Sequence, residues 1–141
     1  MRQSDAFIAA AVLFLVPFCA SAADVVSWDV LSKVEVTRQK DRYVPAFSKQ
    51  IAALDKTQVR LQGFMLPLDQ GAKQKRFLLS AQPPECQFCM PGSAEQFVEV
   101  QAKDGFKYVL DAITVTGKFE LVRDDSGGLL YRLLDAVPAQ K

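Results

Sequence analysis

The pattern of apolar and polar residues takes a period of two after Asp55. In residues 58–67, QVRLQGFMLP, apolar side chains alternate with polar ones, as a half-buried strand requires. Gly63 in the middle of this segment predicts a bulge or bend, and Pro67 ends it. Residues 112–123 repeat the form, again with a central glycine, Gly117. Both segments are predicted to be strands that bend at their glycines.

Three further apolar segments complete a predicted set of five strands. The segment 76–81 is the most apolar, 96–100 leads to a turn at Asp104-Gly105, and 129–134 returns from the glycine loop 124–128. No long helical pattern separates these strands. The sequence therefore predicts a mostly β fold, a small antiparallel OB-like five-stranded barrel.

The residues before the strands have a helical pattern instead. Trp28, Leu31 and Val34 are spaced as on one face of a short helix within residues 25–34. Ser48 offers an N-cap for a second short helix over residues 49–54. The charged segment 37–45 between them is predicted to be irregular, since its final proline forces the preceding residue to be extended.

The first residues have the features of a secretion signal. Arg2 gives a basic start, residues 7–18 form an apolar core, and residues 20–22 are an A-x-A cleavage site. The apolar run is shorter than the roughly 20 residues that span a bilayer, so no stable membrane span is predicted once the signal is removed. Cys19 leaves with the signal, because Phe18 is not the small residue of a lipoprotein signal. The predicted organisation is a signal peptide (1–22), an N-terminal segment with short helices (23–57) and the barrel (58–141).

Composition and charge exclude some classes of function. The formal net charge is +1, and the short basic cluster of Lys73, Lys75 and Arg76 is interpreted as a solvated turn, because no basic stripe with interleaved aromatic residues accompanies it. No nucleic-acid partner is predicted. The chain contains no histidine, the usual base beside a catalytic serine or cysteine, which favours a non-enzymatic role.

The candidate chemistry lies at Cys86 and Cys89, in the sequence PPECQFCMPG. Prolines on both sides restrict this loop, and Pro91-Gly92 excludes the helix that a thioredoxin fold would need there. The two sulfurs can form a permanent disulfide, as is usual in exported proteins. They can also bind zinc or copper(I) as thiolates, or exchange disulfides with a partner. Further metal ligands would come from a partner or from nearby side chains: Glu85, Glu95, Glu99, Met65 or Met90.

Several motifs together resemble a bacterial family of small exported proteins known as domain of unknown function 3299. The resemblance runs from about Trp28 to Val137 and rests on WDVL, PAFSKQIAALD before VRLQGFMLPL, FLLSA with the cysteine loop, and ITVTGKFEL. It implies a periplasmic accessory protein linked to zinc homeostasis or to an ABC-type envelope transporter. It marks Cys86 and Cys89 as pattern positions and, with less force, three others: Gly63, Pro67 and Gly117.

The sequence thus predicts a non-enzymatic periplasmic binding protein whose cysteine loop is its functional feature. The expected partner is an envelope ABC transporter or another periplasmic protein, and the expected metal, if one is bound, is zinc or copper(I). Two other hypotheses stay open. In one, Cys86 attacks disulfides of partner proteins; in the other, a Cys86–Cys89 disulfide only stabilises the loop of an interaction domain.

Overall fold

The structure is a computed structural model that describes residues 25–84, 92–125 and 127–139. Its elements in chain order are α1 (Trp28–Leu31), β1 (Val34–Gln39), β2 (Arg42–Phe47), α2 (Lys49–Leu54), β3 (Gln58–Pro67), β4 (Lys73–Ser80), a 3₁₀ turn (Ala94–Gln96), β5 (Phe97–Lys107), β6 (Ile113–Leu121) and β7 (Tyr131–Pro138). The predicted signal peptide, with Cys19, and the predicted site residues Glu85, Cys86, Cys89 and Met90 lie outside the described residues.

Five strands close into a barrel in the order β3-β4-β5-β7-β6. Neighbouring strands are antiparallel except for β5 and β7, which run parallel. This confirms the predicted mostly β fold with an OB-like five-stranded barrel. The barrel interior is filled by the inward-facing residues of each strand, and its largest side chains include Phe77, Phe119 and Tyr131.

One end of the barrel is covered by the N-terminal segment. Leu31 of α1 and Ile51 of α2 are fully buried within the core there. The hydroxyl of Ser48 accepts a hydrogen bond from the backbone N–H of Ile51, which confirms the predicted cap of α2. Helix α1 is shorter than predicted, since Val34 already begins β1.

The two predicted bend glycines both lie where strand pairing changes. Strand β3 pairs with β6 up to Gly63 and with β4 from Phe64 onward. A Cβ atom on Gly63 would lie 2.5 Å from the carbonyl oxygen of Ser80, so no larger residue fits without a shift. Gly117 lies at a register shift between β6 and β7. The irregularity predicted at Gly117 is therefore confirmed, while the bend predicted at Gly63 stays a prediction.

Two predictions about local structure are wrong. Residues 37–45 are not irregular but belong to an antiparallel hairpin, β1–β2, in which Lys40 takes a left-handed φ of 55° in the turn. Pro45 is tolerated because the hairpin is a separate two-stranded sheet, in which an outer strand edge needs no ladder partner. Asp104-Gly105 does not end its strand either. Gln74 of β4 pairs with Phe106 of β5, and Arg76 pairs with Gln101. One residue of β4 therefore lies opposite residues 102–105, which form a bulge within β5.

The predicted strand bounds agree best where the alternation is regular. Strand β3 spans the predicted residues 58–67, and β6 lies within the predicted 112–123. Strand β4 begins three residues before the predicted segment 76–81, and β7 begins two residues later than the predicted 129–134 and runs on to Pro138. The N-terminal segment adds a further short pairing, a parallel bridge between Val25 and Arg60.

Candidate functional site

The cysteine loop belongs to the connection between β4 and β5. The backbone N–H of Ala81 donates to the carbonyl of Gln96 over 2.9 Å, which joins the two ends of this connection where the strands separate. Gly92 is the first described residue after the cysteines, and the 3₁₀ turn follows it. The β6–β7 loop leaves the barrel at the same end, because the parallel strands β5 and β7 both begin there and β6, antiparallel to β7, finishes there.

The hairpin β1–β2 has one apolar face. Its register places Val34 opposite Phe47, Val36 opposite Pro45 and Arg38 opposite Tyr43, all on the same side. The base of this face packs against the core, where the ring of Phe47 lies 6.0 Å from that of Tyr131. Further out, Val36 is 43% exposed and Tyr43 is 50% exposed. The hairpin thus presents unburied apolar side chains close to Gly92, the first described residue after the cysteines.

An apolar groove of about 430 Å³ lies between the hairpin and the end of the barrel. It is lined by hairpin residues, by the segment that follows the cysteine loop and by the β6–β7 loop: Val36, Tyr43, Gly92, Ser93, Ala94, Glu95, Phe97, Gly127, Gly128 and Leu130. A volume in this range accommodates a small ligand or one or two side chains of a bound peptide. We call this feature the hairpin groove.

Few charges lie at the rim of the hairpin groove. Glu95 is the one carboxylate among the described lining residues, and it accepts a hydrogen bond from the hydroxyl of Ser93. The outer end of the rim is crossed by an ion pair of 3.6 Å between Arg42 and Asp124, both largely exposed. Such an exposed pair contributes little to stability.

Leu130 lines the hairpin groove, and the next residue, Tyr131, belongs to the core. Tyr131 is fully buried, stacks on Phe119 with ring centres 5.5 Å apart, and donates its hydroxyl to the carbonyl of Leu31 over 2.6 Å. Burial raises the pKa of the Tyr131 phenol, and the negative charge of Glu95 acts in the same direction. In the β6–β7 loop, the carboxylate of Asp125 accepts two backbone N–H groups, from residues 127 and 129. This agrees with its interpretation as a turn.

The structure separates the predicted additional metal ligands. Glu95 lies at the groove, three residues from Gly92 and on the cysteine side. Glu99 lies on the outer wall of the barrel, with Arg132 at 3.5 Å and Arg76 at 3.8 Å. Met65 is 2% exposed and packs within the core, and its role as a copper(I) ligand stays a prediction. Within the described residues, no group of three or more histidine, cysteine or acidic side chains is placed to hold a metal ion.

Sequence reasoning missed the hairpin and therefore the groove. The signal was present, since Val34 and Val36 alternate with polar residues and an apolar segment follows at residues 43–47. The Lys-Asp turn between them lacks the glycine or asparagine that usually identifies a hairpin. This arrangement can bind an apolar group between the hairpin and the end of the barrel, next to the segment that begins at Gly92.

Comparisons with known proteins agree with this fold. No significant match was found among curated proteins. The crystal structure of a DUF3299 family protein from Pseudomonas aeruginosa PAO1 superposes with a TM-score of 0.61. The match covers 85% of this chain and 98% of the other at 19% identity, a level that supports a shared fold. Among the residues the structure describes, none forms a helix long and apolar enough to cross a membrane.

The sequence itself identifies the family. The sequence model of the family described as "Protein of unknown function (DUF3299)" matches residues 13–133, most of the chain. The match includes the cysteine loop, the hairpin β1–β2 and all of the barrel strands except the end of β7. The chain therefore belongs to the DUF3299 family, as the resemblance of its motifs predicts.

Proposed function

We propose that the protein is a non-enzymatic accessory protein of the bacterial periplasm that binds an extended, apolar segment of an envelope protein in the hairpin groove. An ABC-type transporter complex is the first partner to consider. The observation that carries the proposal is the juxtaposition of an exposed apolar face, Val36 and Tyr43, with the base of the cysteine loop at Gly92. Apolar side chains left exposed beside a groove are typical of binding surfaces.

The chemistry of the hairpin favours an extended peptide as the occupant. Strands β1 and β2 pair only with each other within the described residues, so each has an outer edge of backbone N–H and C=O groups. A peptide strand that adds to such an edge gains main-chain hydrogen bonds, and its alternate side chains enter a neighbouring pocket. A two-stranded sheet is also marginal by itself, so added pairing would stabilise it.

The cysteine pair supplies the second part of the proposal. We propose Cys86 and Cys89 as thiolate ligands of zinc or copper(I), with a partner residue completing the coordination. Glu95 supports this, since it is the proposed acidic ligand that lies at the groove. A role in metal handling at the envelope then joins the two features, because the bound segment and the metal would share one site.

Site-specific crosslinking in living cells tests the groove. A photoreactive phenylalanine analogue is placed at Tyr43, which lines the groove, or at Val44, its neighbour on the opposite face of β2 and 39% exposed. We expect a discrete crosslink to one envelope protein from position 43, none from position 44, and loss of the product when Val36→Asp is added. Equal products from both positions, or no product from position 43, would exclude the groove as a binding site.

The cysteines need a separate measurement. The protein is isolated from the periplasm under native conditions, and its intact mass is compared with and without alkylation before denaturation. A metal adduct or two alkylated thiols would support metal binding, and thiolate-dependent titration with zinc or copper(I) should then vanish in a Cys86→Ser, Cys89→Ser variant. A closed Cys86–Cys89 disulfide would exclude metal binding by these thiols. Two further results would then separate the remaining hypotheses. If crosslinking at position 43 persists in the serine variant, the disulfide only stabilises the loop. If the native protein reduces insulin, the cysteines have a redox role.

A further inference from the structure

At the end of the barrel opposite the hairpin groove, Lys107 joins two lysines of the basic cluster identified in the sequence. Lys73, at the start of β4, lies directly opposite Lys107, at the end of β5. The next pair along the strands, Gln74 and Phe106, is buried, so the two lysines point outward. Lys75 joins them, because a Cβ atom at Gly105 would lie 3.5 Å from the side chains of both Lys73 and Lys75.

This lysine cluster lacks the neutralising partners that other charged residues of the barrel have. Lys56 donates to Glu120 over 2.6 Å, and Arg132 lies 3.4–3.5 Å from two glutamates. In contrast, no described carboxylate lies within ion-pair distance of Lys73, Lys75 or Lys107. Three aspartates lie near these lysines along the chain. Asp69 accepts the backbone N–H of Arg76, and Asp104 and Asp111, on either side of Lys107, form no ion pair with the cluster among the described residues. Like charges directly opposite on neighbouring strands are unfavourable, so this end is arranged to receive an anion.

Apolar side chains surround the cluster. The β3–β4 turn and the β5–β6 connection leave the same end of the barrel, since β3 and β5 both finish there. Leu68 in the turn is 48% exposed, and Leu110 in the connection is 75% exposed, more than any other large apolar residue described, with Val109 beside it. A small soluble anion would make no use of these side chains.

We propose that this end of the barrel docks on an anionic phospholipid surface. The lysines meet the phosphate groups, while Leu68, Val109 and Leu110 enter the boundary between headgroups and acyl chains. Nucleic acid is the less suitable polyanion, because single strands are bound by stacking on aromatic rings, whereas the exposed tips here are aliphatic. Docking in this orientation points the hairpin groove away from the membrane.

Vesicle sedimentation of the protein, purified as the cell processes it, tests the proposal. We expect binding to phosphatidylcholine vesicles that contain phosphatidylglycerol, little binding to phosphatidylcholine alone, and a decrease as salt rises. Lys73→Glu or Lys107→Glu should each weaken binding about tenfold or more. Each of these substitutions also creates an opposite-charge pair across the strands, so the melting temperature should stay the same or rise. Lys49→Glu, the same charge change at the groove end, is the matched control.

A second variant separates lipid from a soluble polyanion. Leu110→Ser removes an exposed apolar tip without changing charge, and we expect it to weaken vesicle binding severalfold while heparin binding is unchanged. The proposal is overturned if vesicles without anionic lipid bind equally well, if no vesicles bind, or if Lys49→Glu is as damaging as Lys107→Glu. It is also overturned if Leu110→Ser has no effect, since the cluster would then bind an anion in solution.

Discussion

The hydrogen bond from Tyr131 to the carbonyl of Leu31 should stabilise the whole domain. Tyr131→Phe keeps the ring that packs on Phe47 and Phe119, but it leaves a buried carbonyl without its donor. An unsatisfied buried group of this kind costs about 1–3 kcal/mol. In a domain of this size, a loss of about 2 kcal/mol corresponds to a fall in melting temperature of roughly 5–10 °C.

The effect of Tyr131→Phe should also depend on pH. Burial raises the pKa of Tyr131, so the folded protein holds the phenolic proton more tightly than the unfolded chain does. The stability linked to that proton is fully present below the unfolded pKa of about 10 and is lost as the pH rises above it, at about 1.4 kcal/mol per pH unit. The variant has no phenol to titrate. A difference of about 2 kcal/mol at neutral pH should therefore vanish near pH 11.5.

Urea unfolding of both proteins at pH 7, 10 and 11 measures this difference directly. Tyr43→Phe is the control, because Tyr43 is half exposed, and its substitution should change the free energy of unfolding very little at any pH. A difference between wild type and Tyr131→Phe that stayed constant above pH 10 would refute the linkage argument. Equal losses in the two variants would refute the importance of the buried hydrogen bond.

Three further changes test the packing of the barrel. Gly63→Ala should lower the free energy of unfolding by about 2 kcal/mol or more, since its Cβ would lie 2.5 Å from a backbone oxygen, whereas Gly127→Ala should be nearly neutral in the same thermal melts. Glu99→Gln should cost about 1–3 kcal/mol in urea unfolding, because two arginines lose a carboxylate that is almost buried. Ser48→Ala should cost about 1 kcal/mol and speed amide exchange in the first turn of α2.

The barrel could be predicted from sequence because its signals are local. Alternation over residues 58–67 defines a strand whatever its partners are, and Gly117 marks an irregularity by itself. The bulge at Asp104-Gly105 could not be separated from a turn, since both use a left-handed glycine. What decides between them is whether the chain still has a partner strand, and β4 supplies one beyond that point.

The two candidate surfaces depend on contacts between distant parts of the chain. The hairpin groove combines residues from three segments, of which only the one that follows the cysteine loop adjoins a motif. Lys73 and Lys75 looked like a solvated turn in sequence, and their significance comes from Lys107, which the register of β4 and β5 places opposite. Such pairings between distant residues are not encoded in composition or periodicity, which describe neighbours along the chain.

The position of β7 in the barrel has a consequence for how the protein is made. Strand β7 lies between β5 and β6, so the barrel cannot close until residues 131–138 have been synthesised. Until then, β5 and β6 each expose an unpaired edge, and most native contacts link residues far apart in sequence. The barrel can therefore complete its folding only after residues 131–138 have been synthesised, and a chain that stalls before them will present aggregation-prone strands to proteases and chaperones.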